Sequence, residues 1–156
     1  MRPYTYPTNY EKIDIIQAIA DMKISISDIK NLLKQLTSKR ITFTSTDYKN
    51  VISSENCRLY LAFDPALNRK IIGMVALVQF RVPTGMHVRI EDLVVDQHYR
   101  GNGIGEKLMQ AAIRSVKDSG ATHIELTSNA QRVPANRLYQ KLGFTLINTN
   151  VYRLYL

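Results

Sequence analysis

The sequence has few of the residues that stabilise small secreted or metal-dependent proteins. Its 156 residues include a single cysteine, Cys57, so an intrachain disulfide and a cysteine-based metal cluster are both excluded. It has only seven glycines and five prolines, and 45% of its residues are hydrophobic, which excludes a fibrous or disordered chain. A chain of this length can bury a substantial core. We therefore expect one domain over residues 1–156, beginning with a tail at residues 1–12.

The sequence also lacks a long hydrophobic run. Its longest apolar stretch, residues 71–78, is far shorter than the ~20 residues that a membrane span needs. The first twelve residues, MRPYTYPTNYEK, contain no apolar segment of the kind found in signal peptides. These absences predict a soluble, cytoplasmic protein with no membrane partner.

Acidic residues are in the minority. The chain has 13 Asp and Glu against 21 Lys and Arg, which gives a formal net charge of +8. Residues 97–156 carry eight basic and three acidic side chains, and the basic ones are spread along the segment instead of forming one basic run. This distribution favours a localised pocket for an anion over a nucleic-acid-binding arm, so we expect no nucleic-acid partner.

Hydrophobic periodicity predicts a strand, two helices and a meander in the first part of the chain. The first strand falls within residues 12–20, and the two helices are expected to be capped by Ser27 and Thr46. Three antiparallel strands follow, at residues 58–63, 71–80 and 86–95.

The second part of the chain reads as a crossover. A long amphipathic helix covers residues 104–116 and leads to a parallel strand at residues 122–127. A second helix at residues 134–142 precedes two closing strands, at 144–147 and 151–156. The predicted fold is α/β (an α+β mixed sheet), with a mostly antiparallel twisted sheet, one parallel βαβ unit and helices on both faces.

Three glycines alternate with other residues where the last meander strand meets the long helix, in the sequence Arg100-Gly101-Asn102-Gly103-Ile104-Gly105. A helix N-terminus presents unpaired N–H groups and a partial positive charge, and glycine lets a phosphate approach them. The P-loop pattern fails because the Gly-Lys pair is missing, and the dinucleotide pattern fails because its third glycine is missing. The bare backbone therefore predicts a phosphate-bearing ligand of another kind.

These residues resemble the R/Q-x-x-G-x-G/A motif of the GNAT superfamily of acyl-CoA-dependent N-acyltransferases. Residues 136–144, NRLYQKLGF, are similar to a later segment of that family in which an Asn and a Tyr precede a Gly-Phe pair. The two segments lie within about residues 86–144. The resemblance implies a GNAT-like fold and an acetyl-CoA-dependent N-acetyltransferase that needs no metal.

The resemblance also implies a role for each matching residue. Asn136 would contact the acetyl-CoA and Tyr139 would act as the general acid. The main-chain groups that would pair with the pantetheine arm are those of Leu93, Val94 and Val95. The N–H groups that would bind the pyrophosphate are those of Arg100, Gly101, Asn102, Gly103, Ile104 and Gly105.

Acetyl transfer to an amine needs a base, because an aliphatic ammonium with a pKa near ~10 must lose a proton before it attacks a thioester. Glu91 and Asp92 are the only adjacent carboxylates in the chain. Strand alternation predicts that they point to opposite faces, so we expect one base: Glu91, helped by the resemblance, with Asp92 as the alternative. His87, on the same strand face as Glu91, is a further candidate. An N–H near Val94 or Val95 would stabilise the oxyanion if the strand bulges there.

The acceptor is not specified by any motif. In this family it is shaped by the N-terminal helices and nearby loops, here about residues 20–50 and 81–89. We expect a small-molecule primary amine before a protein lysine or N-terminal amine, and a non-catalytic acyl-CoA-binding regulatory module is the alternative from another class. The strand edge predicted at residues 151–156 is compatible with a homodimer.

Overall fold

The computed structural model of the protein describes residues 10–156, and within them it has one five-stranded sheet in which the strands lie in chain order. The strands are β1 (Asp14–Gln17), β2 (Cys57–Asp64), β3 (Lys70–Val82), β4 (Gly85–Val95) and β5 (Ile124–Glu125). The first four pair antiparallel, and β5 runs parallel to β4. The predicted mixed sheet with one parallel unit is therefore confirmed.

Four helices cover the two faces of this sheet, as predicted. They are α1 (Ile26–Leu36), α2 (Ser45–Ser53), α3 (Ile104–Arg114) and α4 (Val133–Lys141). Residues of α1 and α2 pack on one face, and residues of α3 and α4 pack on the other. None of the helices in this described part of the chain is both long and apolar enough to cross a membrane.

The first two helices begin two residues earlier than predicted. Ser25, not Ser27, caps α1, and its Oγ accepts a hydrogen bond from the N–H of Asp28. Thr44, not Thr46, caps α2 in a reciprocal capping box with Asp47. Each true cap stands three residues before an aspartate in a hydroxyl-rich stretch, and in α2 that aspartate returns the hydrogen bond, which fixes the start.

The sheet separates two apolar cores. The α1–α2 core includes Ile29, Leu32, Leu61, Phe63 and Met74. The α3–α4 core includes Ile72, Leu77, Leu108, Met109 and Ala112. Because β2 and β3 are covered on both faces, their sequences are nearly continuous apolar runs instead of alternating ones. The apolar stretch at residues 71–78 is thus a central strand.

The two closing strands predicted at residues 144–147 and 151–156 are absent, and that prediction is wrong. The parallel strand predicted at 122–127 is reduced to Ile124–Glu125, so the free edge of β5 has too few N–H and C=O groups to order another strand. The apolar side chains of this segment stay exposed: they are Leu146, Ile147, Val151, Tyr152, Leu154, Tyr155 and Leu156. β-propensity alone does not make a strand where the neighbouring ladder is missing.

At the other end of the chain, residues 1–9 of the predicted tail lie outside the described residues. Tyr10–Lys12 form a 3-10 turn. The ring of Tyr10 packs edge-on against Tyr99 with 6.5 Å between centroids, and its carbonyl accepts a hydrogen bond from Lys107 Nζ at 2.9 Å. The turn is therefore attached to the α3 side of the domain.

Candidate active site

β4 carries a bulge in the middle of the domain. Its pairing with β3 shifts by one residue between the partners of Met74 and Ala76, so β4 has one more residue than β3 in this stretch. Within it, Asp92 has a φ of 52°, a left-handed conformation that aspartate adopts more readily than most residues. The bulge considered near Val94 and Val95 thus lies two residues earlier.

The bulge overturns the predicted alternation of the two carboxylates. Ile90 and Leu93 are three residues apart, yet both enter the α3–α4 core, which requires the inserted residue. Glu91 and Asp92, which lie between them, are left on the opposite face with the α1–α2 core. Burial and, secondarily, the negative charge of Asp92 raise the pKa of Cys57, which packs against that core. Both carboxylates therefore face the same side.

The two carboxylates have different surroundings. Protein around the Asp92 carboxyl and, secondarily, the charge of Glu91 raise the pKa of Asp92, although its side chain keeps contact with solvent. Glu91 is 43% exposed and accepts a hydrogen bond from Arg89 Nε at 3.1 Å. Asp92 thus keeps its proton to a higher pH than an ordinary aspartate, whereas Glu91 is oriented by an ion pair.

His87 lies away from these carboxylates. Its Nε2 is 3.0 Å from Thr84 Oγ1 and its ring stacks at 5.5 Å on Phe80, near the β3–β4 turn. Four residues of strand place it ~13 Å along β4 from Glu91. Within residues 10–156, no group of three or more His, Cys, Asp or Glu side chains converges to hold a metal ion.

A gap opens beside β4 after its short pairing with β5. The parallel ladder ends at Arg89, and over the described residues the remaining stretch 90–95 has no strand on that side. We call this opening the strand gap. The carbonyls of Leu93 and Val95 accept hydrogen bonds from side chains there, from Arg132 Nη2 at 3.2 Å and from Arg100 Nε at 3.0 Å. Val94 and Val95 both have partners in β3, and the carbonyls of Leu93 and Val95 are the two that accept from the open side, so the strand gap offers two main-chain acceptors.

Residues 100–103, here called the glycine loop, lead from the end of β4 into α3. Gly101 and Gly103 have φ values of 82° and 76°, and a Cβ added to either would meet no atom within 4 Å. Gly103 caps α3 without a side-chain hydrogen bond. Asn102 braces the loop from within, because its Nδ2 donates to the carbonyls of Tyr99 and Arg100, each at 3.1 Å. The start of α3 therefore has no side-chain cap, and the backbone at both left-handed glycines is uncovered on the side where a Cβ would stand.

Gly105 also has a packing role. It is in helical conformation, and a Cβ there would lie 3.3 Å from Leu138 Cδ2 and 3.7 Å from Val95 Cγ2. Its missing side chain lets α3 approach α4 and β4 closely. Only two of the three alternating glycines are needed for left-handed backbone.

Tyr139 of α4 lies in the α3–α4 core with 7% of its surface exposed. Burial raises the pKa of Tyr139, and the neighbouring charge of Arg132 opposes that effect. The phenol is therefore protonated at neutral pH and can donate its proton. Its ring packs at 62° against Phe144, with 6.1 Å between centroids.

Asn136 stands one turn before Tyr139 and braces the entry to α4. Its Nδ2 donates to the carbonyls of Asn129 at 3.0 Å and Ala130 at 3.4 Å. Asn136 and Tyr139 also line a cavity of about 830 Å³ between β5, α4 and the C-terminal segment. Among the described residues, hydrogen bonds engage only the side-chain nitrogen of Asn136, so its Oδ1 can accept a hydrogen bond from a ligand.

An ion pair joins α4 to the first turn of α3. Lys141 Nζ lies 2.5 Å from Glu106 Oε2, which neutralises a carboxylate close to the glycine loop. Without this partner the charge of Glu106 would repel an anion at the start of α3. The pair therefore keeps the loop suited to a phosphate.

Two residues of this region were missed by the sequence patterns. They are Asp96 and Gln35. Asp96 is 7% exposed, and its carboxylate accepts hydrogen bonds from the N–H of His98 at 3.0 Å and from Gln35 Nε2 at 3.3 Å. Asp96 followed by a turn is a recognisable side-chain cap. Gln35 has no local signal, because its partners lie about sixty residues further along the chain.

Comparison with known proteins identifies the family of this chain. Residues 27–144 match the Acetyltransferase (GNAT) family. N-alpha-acetyltransferase 30 of Schizosaccharomyces pombe is 36% identical over 91 residues, which are 57% of this chain and 59% of that protein. Streptothricin acetyltransferase of Escherichia coli is 26% identical over 132 residues, 85% of this chain and 70% of that protein. The chain thus spans less than two thirds of the first of these relatives.

The fold has solved counterparts. An aminoglycoside acetyltransferase from an uncultured soil metagenomic sample, crystallised in complex with trehalose, superposes with a TM-score of 0.75 at 17% identity. The superposition covers 92% of this chain and 95% of that one. At this identity the likeness concerns the fold.

Proposed function

Because the chain belongs to the acetyltransferase (GNAT) family, we propose that it transfers the acetyl group of acetyl-CoA to a primary amine. The observation that supports this most directly is the glycine loop, whose two left-handed glycines leave the uncapped start of α3 open. A helix N-terminus of this kind suits a pyrophosphate, and the strand gap beside it suits an extended amide chain.

The donor would be held by main-chain groups along both features. N–H groups of residues 100–105 would bind the pyrophosphate, and Asn136 would offer its free amide oxygen. The carbonyls of Leu93 and Val95 would accept from the amides of the pantetheine arm. This requires Arg132 and Arg100 to release those carbonyls, after which both guanidinium groups are available to the phosphates.

The acceptor amine would approach from the α1–α2 face, where both carboxylates lie. Their negative charge attracts an ammonium, and one of them then removes its proton. We propose Glu91 as the base, because the hydrogen bond from Arg89 fixes its carboxylate. Asp92 is the alternative, since burial and the neighbouring Glu91 raise its pKa above that of an ordinary aspartate and so make it a better proton acceptor than an ordinary aspartate. Comparing the kcat of Glu91→Gln and Asp92→Asn identifies the base by the larger loss.

The transfer would be direct, within a complex of both substrates. The neutral amine nitrogen attacks the thioester carbonyl, and the tetrahedral intermediate then breaks its C–S bond. The departing thiolate takes a proton from the hydroxyl of Tyr139, and the positively charged nitrogen of the intermediate loses its extra proton to solvent, which returns one to the Tyr139 phenolate. The base keeps the proton it took from the ammonium until solvent removes it. No covalent enzyme intermediate is needed, so Cys57 has no part in the reaction.

We propose a small-molecule amine as the acceptor. Streptothricin acetyltransferase, which matches 85% of this chain, and the aminoglycoside acetyltransferase of similar fold are both named for small molecules. A protein N-terminus is the second candidate, because the N-alpha-acetyltransferase matches at higher identity over a shorter stretch. The carboxylates of Glu91 and Asp92 on the α1–α2 face suit a cationic amine of either kind.

Two measurements test the proposal together. Calorimetry should detect acetyl-CoA binding to the folded protein, and free thiol should be released with some member of a panel of amines, amino sugars, amino acids and peptides with free N-termini. Binding without thiol release from any acceptor would favour a non-catalytic acyl-CoA-binding module. Absence of binding would refute both functions.

A further inference from the structure

Gln35, in the last turn of α1, connects that helix to the end of β4 and the glycine loop. Its Oε1 accepts a hydrogen bond from the N–H of Gln97 at 2.8 Å, and its Nε2 donates to Asp96 Oδ2 at 3.3 Å. Arg100 Nη2 approaches the same Oε1 at 3.5 Å. A side-chain amide is the group that can accept from an N–H and donate to a carboxylate at once.

The far end of this connection is itself rigid. The N–H of Asp96 donates to Ile72 in the sheet at 2.8 Å, and its carboxylate caps the turn at His98. Arg100 is fixed in turn by the carbonyl of Val95. Gln35 thus contacts the residues that set where the glycine loop begins.

The near end belongs to the wall of the acceptor side. α1 packs through Ile29 and Leu32 on the sheet face where Glu91 and Asp92 lie. Its first turn is attached to β3, because Asp28 Oδ2 accepts from the N–H of Ile71 at 3.1 Å. Among the described residues, the hydrogen bonds of Gln35 are what join the last turn of α1 to the segment that follows β4.

We infer that Gln35 is a positioning residue through which acetyl-CoA on the glycine loop orders the last turn of α1, and so prepares the acceptor side. The inference depends on the proposed role of the loop as the donor site. Coupling between two ligands is reciprocal, so the acceptor also strengthens donor binding. Couplings of this kind typically amount to ~5- to 150-fold in affinity.

Hydrogen exchange with and without saturating acetyl-CoA tests this inference without any need for the acceptor. In the wild type, acetyl-CoA should slow exchange both in the glycine loop and at the amides of residues 33–37. In Gln35→Ala the loop should still be protected, whereas residues 33–37 should lose the effect. Asn31→Ala is the matched control, since it removes an exposed amide one turn earlier on α1 and should behave as wild type.

Gln35→Glu is a second variant in case the alanine unfolds the end of α1. It keeps the shape and the acceptor atoms but cannot donate to Asp96, and it should weaken the protection of residues 33–37. Protection of these amides that persists in both Gln35 variants would overturn the inference. Acetyl-CoA binding to the wild type without protection of residues 33–37 would overturn only the inference about Gln35. Absence of acetyl-CoA binding would overturn the proposed donor site as well.

Discussion

Replacing Gly103 by alanine should separate the cost of a strained backbone from the loss of a ligand contact. Gly103 has a φ of 76°, and Gly120, beyond the other end of α3, has a φ of 79°. An added Cβ meets no atom within 4 Å at either position. Alanine in this conformation costs ~1–2 kcal/mol, so both variants should lose similar stability.

Only one of the two variants should lose its affinity for acetyl-CoA. Gly103 caps α3 at the proposed pyrophosphate site, while α3 itself, at ~16 Å long, keeps Gly120 at a distance. A methyl group on the open side of Gly103 would prevent about two charge-assisted hydrogen bonds from forming. At ~1.5–3 kcal/mol each, their loss weakens binding by at least ~100-fold.

Thermal unfolding and calorimetry check the two halves of this prediction separately. Both variants should lose ~2–8 °C in Tm, as expected for ~1–2 kcal/mol in a domain of this size. The Kd for acetyl-CoA should rise only for Gly103→Ala. Wild-type affinity in both variants would show that the donor does not touch the glycine loop. An equal loss of affinity in both variants would attribute the effect to lost stability.

Four further predictions concern Tyr139, Asp92 and the exposed C-terminal segment. Tyr139→Phe should lower kcat by ~10²- to 10⁴-fold with unchanged affinity for acetyl-CoA in calorimetry, and a wild-type rate would remove Tyr139 from the mechanism. Burial raises the pKa of Tyr139, so as the pH rises above ~10 the unfolded chain loses the phenol proton before the folded chain does. The wild type should therefore lose stability above pH ~10, whereas Tyr139→Phe should not show this loss. Because the folded state raises the pKa of Asp92, its negative charge lowers stability at neutral pH, and Asp92→Asn should raise the free energy of unfolding at pH 7 by up to ~1 kcal/mol. The gain is small because solvent screens this carboxyl. Denaturant titrations should show it vanishing well below pH ~4, where Asp92 is protonated in both the folded and the unfolded state. The exposed Leu146 and Leu154 predict a homodimer in sedimentation, with Leu154→Asp monomeric; a monomeric wild type would contradict this.

The elements that could be predicted from sequence are those whose signal is local. The apolar stripe of α3 and the apolar runs of β2 and β3 appear within a window of a dozen residues, and the structure has all three elements. The closing strands failed because their formation depends on the edge that β5 offers, which no local pattern records. The predicted N-caps of α1 and α2 lie two residues too late because several neighbouring hydroxyl side chains could cap each helix.

The site divides along the same line. The glycine loop was visible because left-handed backbone next to a helix start calls for particular residues. The orientation of Glu91 and Asp92 was not, because a strand with one inserted residue has the same local composition as a regular one. Gln35 was invisible because its hydrogen bonds join residues far apart in the chain.

The bulge in β4 is the feature that makes the site compact. One inserted residue places Glu91 and Asp92 together on the α1–α2 face, while Leu93 still enters the core that holds Tyr139. The proposed base and the proposed acid therefore lie on opposite faces of the sheet, with the strand gap between them. An amine that enters from the α1–α2 face meets the base on its own side, and the thiolate that leaves meets the acid on the other. Each proton transfer thus has its own group, so neither residue has to serve as both base and acid in one turnover.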